Sequence, residues 1–178
     1  MSVTPAEFRR AMGCFATGVT VLTMNHQGQV LGMTANAFAS VSLQPLLVLV
    51  CVDRRARTHS HLHAKKRFGV NVLAENQREI SEYYAREITA EGGPPGGRFE
   101  HTRHGTPVLH GALAYLECRL VSTQDAGDHT IFIAEVEEVV VRAGDPLLYF
   151  RSEYRAIGTG VGRGLSAPDV EGKPRSGN

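Results

Sequence analysis

Short apolar runs separated by turn residues dominate this chain, and most of them alternate with polar positions at a period near two, which predicts strands rather than helices. The most apolar run is 46–52, LLVLVCV, which is almost purely aliphatic and therefore reads as a central strand buried on both faces. Directly before it, Thr34, Asn36, Ser40 and Ser42 put hydroxyl and amide groups on a segment that leaves the ladder near Gln44-Pro45, where proline ends pairing. Upstream, 19–24 and 30–34 read as a hairpin about an Asn-His-Gln-Gly turn that feeds the apolar run. Downstream, 68–73 alternates, 113–122 alternates in part, 124–129 is a turn, 130–141 is a long β-branched strand and 147–150 a last short one.

Three segments carry a helical period. Thr4, Pro5 and Glu7 have the spacing of a capping box, and Phe8, Met12 and Phe15 share one face of a helix reaching about residue 16. After Asp53 the segment DRRARTHSHLHAKKRFG predicts a helix capped by Thr58 or Ser60, with Lys65, Lys66 and Arg67 at its C-terminal end. Residues 76–79 open another, with Ile80 and Tyr83 or Tyr84 facing inward. The EGGPPGG stretch at 91–97 predicts a mobile loop, 98–107 stays irregular, and the Gly-, Pro- and charge-rich residues from 159 predict a disordered tail. The pattern therefore predicts a mainly β fold, an antiparallel barrel closed or nearly closed, with two or three short helices in one domain over 1–158 and a tail over 159–178. A doubly wound nucleotide fold is disfavoured, since the βα rhythm and a GxGxxG turn are both missing.

Composition adds limits. With 178 residues, 42% hydrophobic, 21% charged and a formal charge of +1, the chain offers no electrostatic argument for nucleic acid or a membrane surface. Charges at Glu7, Arg9 and Arg10 ahead of a short apolar patch are wrong for an export signal or a span. Three separated cysteines, Cys14, Cys51 and Cys118, without CxxC spacing, point to a reducing cytoplasm, and Cys51 reads as a core thiol.

Candidate chemistry is sparse, and each feature has two readings. The polar rim 34–42 is either a ligand-holding edge or a loop whose hydroxyls satisfy their own backbone. Arg54, Arg55 and Arg57 ahead of a helix start suit a phosphate, or are plain solvated charge. In HSHLH only His59 and His63 share a helical face and no third ligand lies nearby, so no metal site is expected. His129, in Gly-Asp-His, is either held at the mouth of the barrel or a turn residue in solvent.

In order and spacing, FRRAMGCFATGVTVLT, GMTANAFASVSLQPLLVLVCVDRRART, GALAYLECRL, GDHTIFIAEV and YFRSEYRAIG resemble the flavin reductase-like proteins with the FMN-binding split-barrel fold. The resemblance covers roughly residues 8–158 and is nearest to the short reductase components of two-component flavin-dependent monooxygenases. It implies an NAD(P)H:flavin oxidoreductase that reduces FMN or FAD with NADH or NADPH and passes the reduced flavin to a separate oxygenase of aromatic hydroxylation or antibiotic tailoring. By matching positions it points to Thr34, Ala35, Asn36, Ala37, Phe38, Ser40, Ser42 and Cys51 along the flavin, and to Asp53, Arg54, Arg57 and Thr58 toward its phosphate. It also sets Phe99 and Tyr154 near the flavin and His129 beside the nicotinamide, and it implies a homodimer. A barrel that retains its flavin and acts on a small organic substrate, or a non-catalytic flavin- or haem-binding barrel, stand as alternatives. Two departures from the family pattern stand out: Pro45-Leu46 where relatives have Pro-Pro, and the EGGPPGG and HTRHGTP segments before residue 108.

Overall fold

A computed structural model describes residues 2–86, 94 and 96–158, so the expected tail and most of the expected 91–97 loop lie outside the described residues. In chain order the elements are α1 (Pro5–Met12), β1 (Thr17–Gly18), β2 (Thr20–His26), β3 (Gln29–Ala35), β4 (Phe38–Leu43), β5 (Leu46–Asp53) and α2 (Arg57–Lys65). They continue with β6 (Arg67–Val72), a 3₁₀ turn (Glu75–Gln77), α3 (Arg78–Tyr84), β7 (Phe99–His101), β8 (Pro107–Leu109), β9 (Ala114–Ala126), β10 (His129–Val141), β11 (Leu148–Phe150) and β12 (Glu153–Arg155). The main sheet has seven strands in the order β3-β2-β6-β9-β10-β5-β4, with every pairing antiparallel.

Its edges, β3 and β4, are joined covalently through Asn36 and Ala37, and side chains from all seven strands meet in one core around Leu22, Val50, Phe68, Cys118 and Phe132. The sheet therefore curls into a barrel split between β3 and β4. Leu62 of α2 reaches into this core. A second core, on Val19, Val21, Leu73, Ile80, Tyr84 and Leu109, seats α3 and the β7–β8 hairpin against the outside of the barrel, with Phe99, Tyr149 and Tyr154 at its margin. Fully burying an aromatic such as Phe68 or Phe132 stabilises by about 1.5–3 kcal/mol. Gly32 lets α3 close on β3, because a Cβ there would lie 2.7 Å from the Tyr84 ring.

Several expectations need correction. The run 46–52 is neither central nor buried on both faces: β5 lies one strand in from an edge, and Val48, Val50 and Val52 are buried while Leu47, Leu49 and Cys51 are only half covered. Cys51 is thus not a core thiol, and Cys14 is exposed. The strands buried on both faces are β2, where Thr20 to Met24 are all inside, and β6, where Phe68 to Asn71 are, with Phe68 and Val70 in the barrel core and Gly69 and Asn71 under β8. The first helix has its capping box, Thr4 Oγ1 accepting from Glu7 N–H at 3.3 Å, but stops at Met12. Its apolar face is uncovered in this chain, with Phe8 61% and Met12 50% exposed, and Phe15 beyond its end is 69% exposed.

At α2 the N-cap is Ala56 rather than Thr58 or Ser60, and Lys66 leaves the helix in a left-handed conformation, so Arg67 already belongs to β6. The 98–107 segment is not irregular but contributes the β7–β8 hairpin. The expected turn at 124–129 shrinks to the two residues Gly127-Asp128, since Ala126 pairs directly with His129; Gly127 has φ +66°, which a hairpin loop this short requires.

Candidate active site

Four pieces of chain converge at the C-terminal end of β5: the β3–β4 link, the last residues of β5, the start of α2 and the β9–β10 turn. Pairing sets this up. His129 lies opposite Asp53 in the ladder, and Arg54 N–H donates to the Asp128 carbonyl at 3.0 Å, so the turn and the approach to α2 move as one unit. On the other side, Cys51 N–H donates to the Ala37 carbonyl at 3.0 Å and Phe38 lies opposite Val50, which fixes the Asn36-Ala37 link against β5. Asn36, Ala37 and Ser40 are exposed there, with Phe38 half-buried.

Polar groups at this mouth are arranged by short-range contacts. Asp53 grips Arg55: Oδ1 accepts from the Arg55 N–H at 2.8 Å and from Nε at 3.2 Å, and Oδ2 accepts from Nη2 at 2.8 Å. Those hydrogen bonds, the side-chain ones foremost, hold the Asp53 carboxyl far below the usual carboxylate range. His129 is half-buried with Nδ1 2.8 Å from Asp128 Oδ1. An ionised carboxylate only accepts, so Nδ1 carries the proton and Nε2 is left as the working nitrogen. That hydrogen bond and the charge of the histidine lower the Asp128 carboxyl in turn.

Behind the rim, Thr130 Oγ1 donates to Asp125 Oδ1 at 3.0 Å and so accepts from His59 Nε2 at 2.9 Å. Burial, then the neighbouring charges of His63 and Arg54, push His59 below its ordinary value. The α2 start carries no side-chain cap, since Ala56 has no side-chain acceptor to offer its first turn, and it is flanked by exposed Arg54 and Arg57. Thr58 is buried with its hydroxyl 2.8 Å from Met33 Sδ.

The remaining candidates form a second group. Thr34 Oγ1 donates to the Ser81 carbonyl at 2.7 Å, and Ser81 Oγ lies 2.9 Å from the Tyr154 hydroxyl. The Arg78 guanidinium sits 5.3 Å over the Tyr154 ring, and Phe99 packs at the same aromatic margin with Tyr83 and Tyr149. Thr34 and buried Ala35 connect this group to the β5 end through the β3–β4 link. Ser42 stands apart from both, its Oγ accepting from Gln44 N–H at 3.1 Å, and Ser40 lies opposite Val48 along β4.

Ser81, Arg78 and the Thr130–Asp125 partners of His59 were not singled out by sequence, nor were the pairings of Arg55 with Asp53 and of Asp128 with His129. Asp128 was within reach, since it adjoins His129, and the Asp-x-Arg spacing hints at the Asp53–Arg55 grip. Ser81 gave no signal, because its contact with Tyr154 spans 73 residues. Among the described residues no group of three or more histidine, cysteine or carboxylate side chains is placed to hold a metal ion. In the HSHLH run the His59 and His63 rings instead pack on Phe132, at 5.4 and 4.9 Å. No described helix is long and apolar enough to cross a membrane.

Comparison with known proteins places the whole barrel. Residues 12–158 match the model of the flavin reductase like domain. An NADH-dependent flavin reductase of a Rhodococcus species is 39% identical over 158 residues, covering 87% of this chain and 88% of that one. The reductase component of the 4-nitrophenol 4-monooxygenase/4-nitrocatechol 2-monooxygenase of Rhodococcus opacus is 38% identical over 154 residues, covering 84% and 79%. Among solved structures, the NADH:FAD oxidoreductase SgcE6 of Streptomyces globisporus C-1027, in complex with NAD and FAD fragments, superposes with a TM-score of 0.80 at 34% identity, covering 96% of this chain and 99% of that one.

Proposed function

The chain belongs to the flavin reductase-like domain family, and on that premise we propose that it oxidises NADH, reduces a flavin and hands the reduced flavin to a separate monooxygenase component. The observation that carries this reading is the likeness, over most of the chain, to an NADH-dependent flavin reductase and a monooxygenase reductase component. In the net reaction NADH, oxidised flavin and one proton give NAD⁺ and reduced flavin; the hydride chemistry resides in the two cofactors, and the protein supplies binding, orientation and exclusion of water.

Residues at the mouth suit that division of labour. A flavin offers a flat apolar ring, a polar pyrimidine edge and a phosphate. Exposed Asn36 and Ser40 with half-buried Phe38 and Cys51 provide a surface of matching character, while the uncapped α2 start with Arg54 and Arg57 suits the phosphate. His129, oriented by Asp128, would hold a donor or acceptor nitrogen toward the nicotinamide. Phe99 and Tyr154 would close the aromatic side. The scarcity of strong acids and bases at the site agrees with a reaction that needs none.

The same reading takes residues 1–158 as the catalytic domain of a homodimer in the cytoplasm. Uncovered Phe8 and Met12 on α1, Phe15 just after it, and exposed Val41, Leu43 and Leu46 at the β4–β5 hairpin support pairing, since such surface is normally covered. Free thiols at all three cysteines support a reducing compartment. The test is consumption of NADH or NADPH by purified protein, alone and with FMN or FAD as a saturable substrate. Turnover only with added flavin supports the shuttle and ranks the flavins. Flavin retained through dilution, with turnover on an organic acceptor, favours a resident-flavin enzyme, and no consumption of either nucleotide sinks the reductase reading.

A further inference from the structure

Among the described residues, the most enclosed charge lies outside the site just described. Glu117 of β9 is 0% exposed. Its Oε1 accepts from Thr106 Oγ1 at 2.5 Å and Thr102 Oγ1 at 2.8 Å, and its Oε2 accepts from His104 Nδ1 at 2.9 Å. Arg67 Nη1 stands 4.0 Å from Oε1 and is itself bonded to Glu137. All three donors come from the loop joining β7 to β8, within the HTRHGTP segment where this chain departs from the family pattern. Thr102 organises that loop as well: its hydroxyl accepts from the N–H groups of His104 and Thr106, each at 3.2 Å.

Along β8 the hairpin has further polar, buried tethers. Asn71 Oδ1 accepts from Leu109 N–H at 2.8 Å, and Thr23 Oγ1 donates to the Pro107 carbonyl at 2.6 Å. By contrast β7 buries little, since Phe99 is half-buried and Glu100 and His101 are exposed. β7 itself is therefore placed by its pairing with the buried β8 and by the hydrogen bonds that hold the loop at its far end, not by apolar contacts of its own beyond Phe99. What it carries is Phe99, paired with Leu109 and lying at the aromatic margin with Tyr149 and Tyr154.

We propose that Glu117 is a positioning residue for flavin binding, acting through Thr102, Thr106 and His104 to fix the β7–β8 hairpin and so the Phe99 side of the flavin site. This rests on the reading that Phe99 borders the flavin. Glu117 never meets a ligand; it decides where an aromatic wall stands.

The experiment uses the full chain and four variants: Thr102→Val, Thr102→Ser, Phe99→Ala and the Thr102→Val/Phe99→Ala double variant. Flavin KM and kcat are measured at saturating NADH, and amide exchange is followed over 98–110. Thr102→Val should speed exchange in that segment alone and raise the flavin KM roughly five- to tenfold with kcat within about twofold, less than the full loss of one hydrogen bond to a charged group because it reaches the flavin only through the hairpin. Thr102→Ser should restore both, and in the Phe99→Ala background Thr102→Val should add nothing. If Phe99→Ala raises KM while Thr102→Val leaves it unchanged, or if Thr102→Val acts equally in both backgrounds, the positioning role is wrong. If Phe99→Ala itself leaves KM unchanged, the placement of Phe99 at the flavin falls, and this inference with it.

Discussion

The two polar clusters on this barrel contain the same kinds of group and put them to opposite uses. Around Glu117 the carboxylate and Thr106 are buried, with half-buried Thr102 and surface-lying His104 closing over them, and each carboxylate oxygen accepts a hydrogen bond. Around Asp53 and His129 the carboxylates and the imidazole face water, and the Asp128 side chain is 81% exposed. Inside, an unmade bond costs the full desolvation of the group, so the cluster is committed to holding chain. At the mouth water can replace any lost partner, so the same groups contribute little to stability and stay available to a ligand. The comparison says where stability and activity should separate.

The largest effect is expected from removing the buried carboxylate. Glu117→Ala leaves Thr102, Thr106 and His104 without their acceptor around a new cavity, and should cost about 3 kcal/mol, read as a lower urea midpoint. Next comes the acid limb of stability. Burial raises the Glu117 carboxyl, but the hydrogen bonds from Thr106, His104 and Thr102 and the charge of His104 outweigh it, so the folded value lies below the ordinary 4.5. A carboxyl depressed on folding contributes its stability above the unfolded value and loses it as pH falls through the folded one. Thermal midpoints between neutral pH and pH 3 should therefore fall less steeply for Glu117→Gln than for the parent chain; parallel curves would remove Glu117 from the acid response.

The mouth should behave the other way. His129→Ala removes the nitrogen oriented by Asp128, and kcat/KM for NADH should drop roughly 10- to 100-fold while the thermal midpoint holds. Steady-state kinetics over a range of NADH concentrations checks it, and an unchanged rate at every concentration would sink the assigned role.

How far this division was legible in sequence depends on what sets each feature. The element order, the β2–β3 hairpin, the capping box of α1 and the barrel itself follow from local pattern, and they are present. Burial was misjudged where it depends on what lies across the sheet. LLVLVCV is as apolar as a doubly buried strand, yet one face of β5 is only half covered, whereas FGVNVL contains Gly69 and Asn71 and is buried at every position but Val72. Those two residues are the reason it reads as half polar. A Cβ at Gly69 would lie 2.6 Å from Thr23 Oγ1, and Asn71 binds Val21, Thr23 and Leu109, so both serve close approach of other chain. Glu117 was hidden for the same reason: in ALAYLECRL it looks like the solvent face of an alternating strand, and only the folded-over 102–106 loop makes it interior.

The smallest effect expected is at the Asp53–Arg55 pair, and it sharpens the comparison by asking what an exposed charge does for a ligand. Arg55 is 85% exposed and only two residues from its partner, so its removal should leave the thermal midpoint where it was. Arg55→Ala subtracts a positive charge beside the α2 start and frees the Asp53 carboxylate to face any phosphate bound there, so the KM for FMN should rise about two- to threefold at low salt. The rise should fade at high ionic strength, as a surface interaction must, and riboflavin, which has no phosphate, should show none. Equal rises for FMN and riboflavin would mean that the phosphate lies elsewhere and that the α2 start, for all its lack of a side-chain cap, does not bind it.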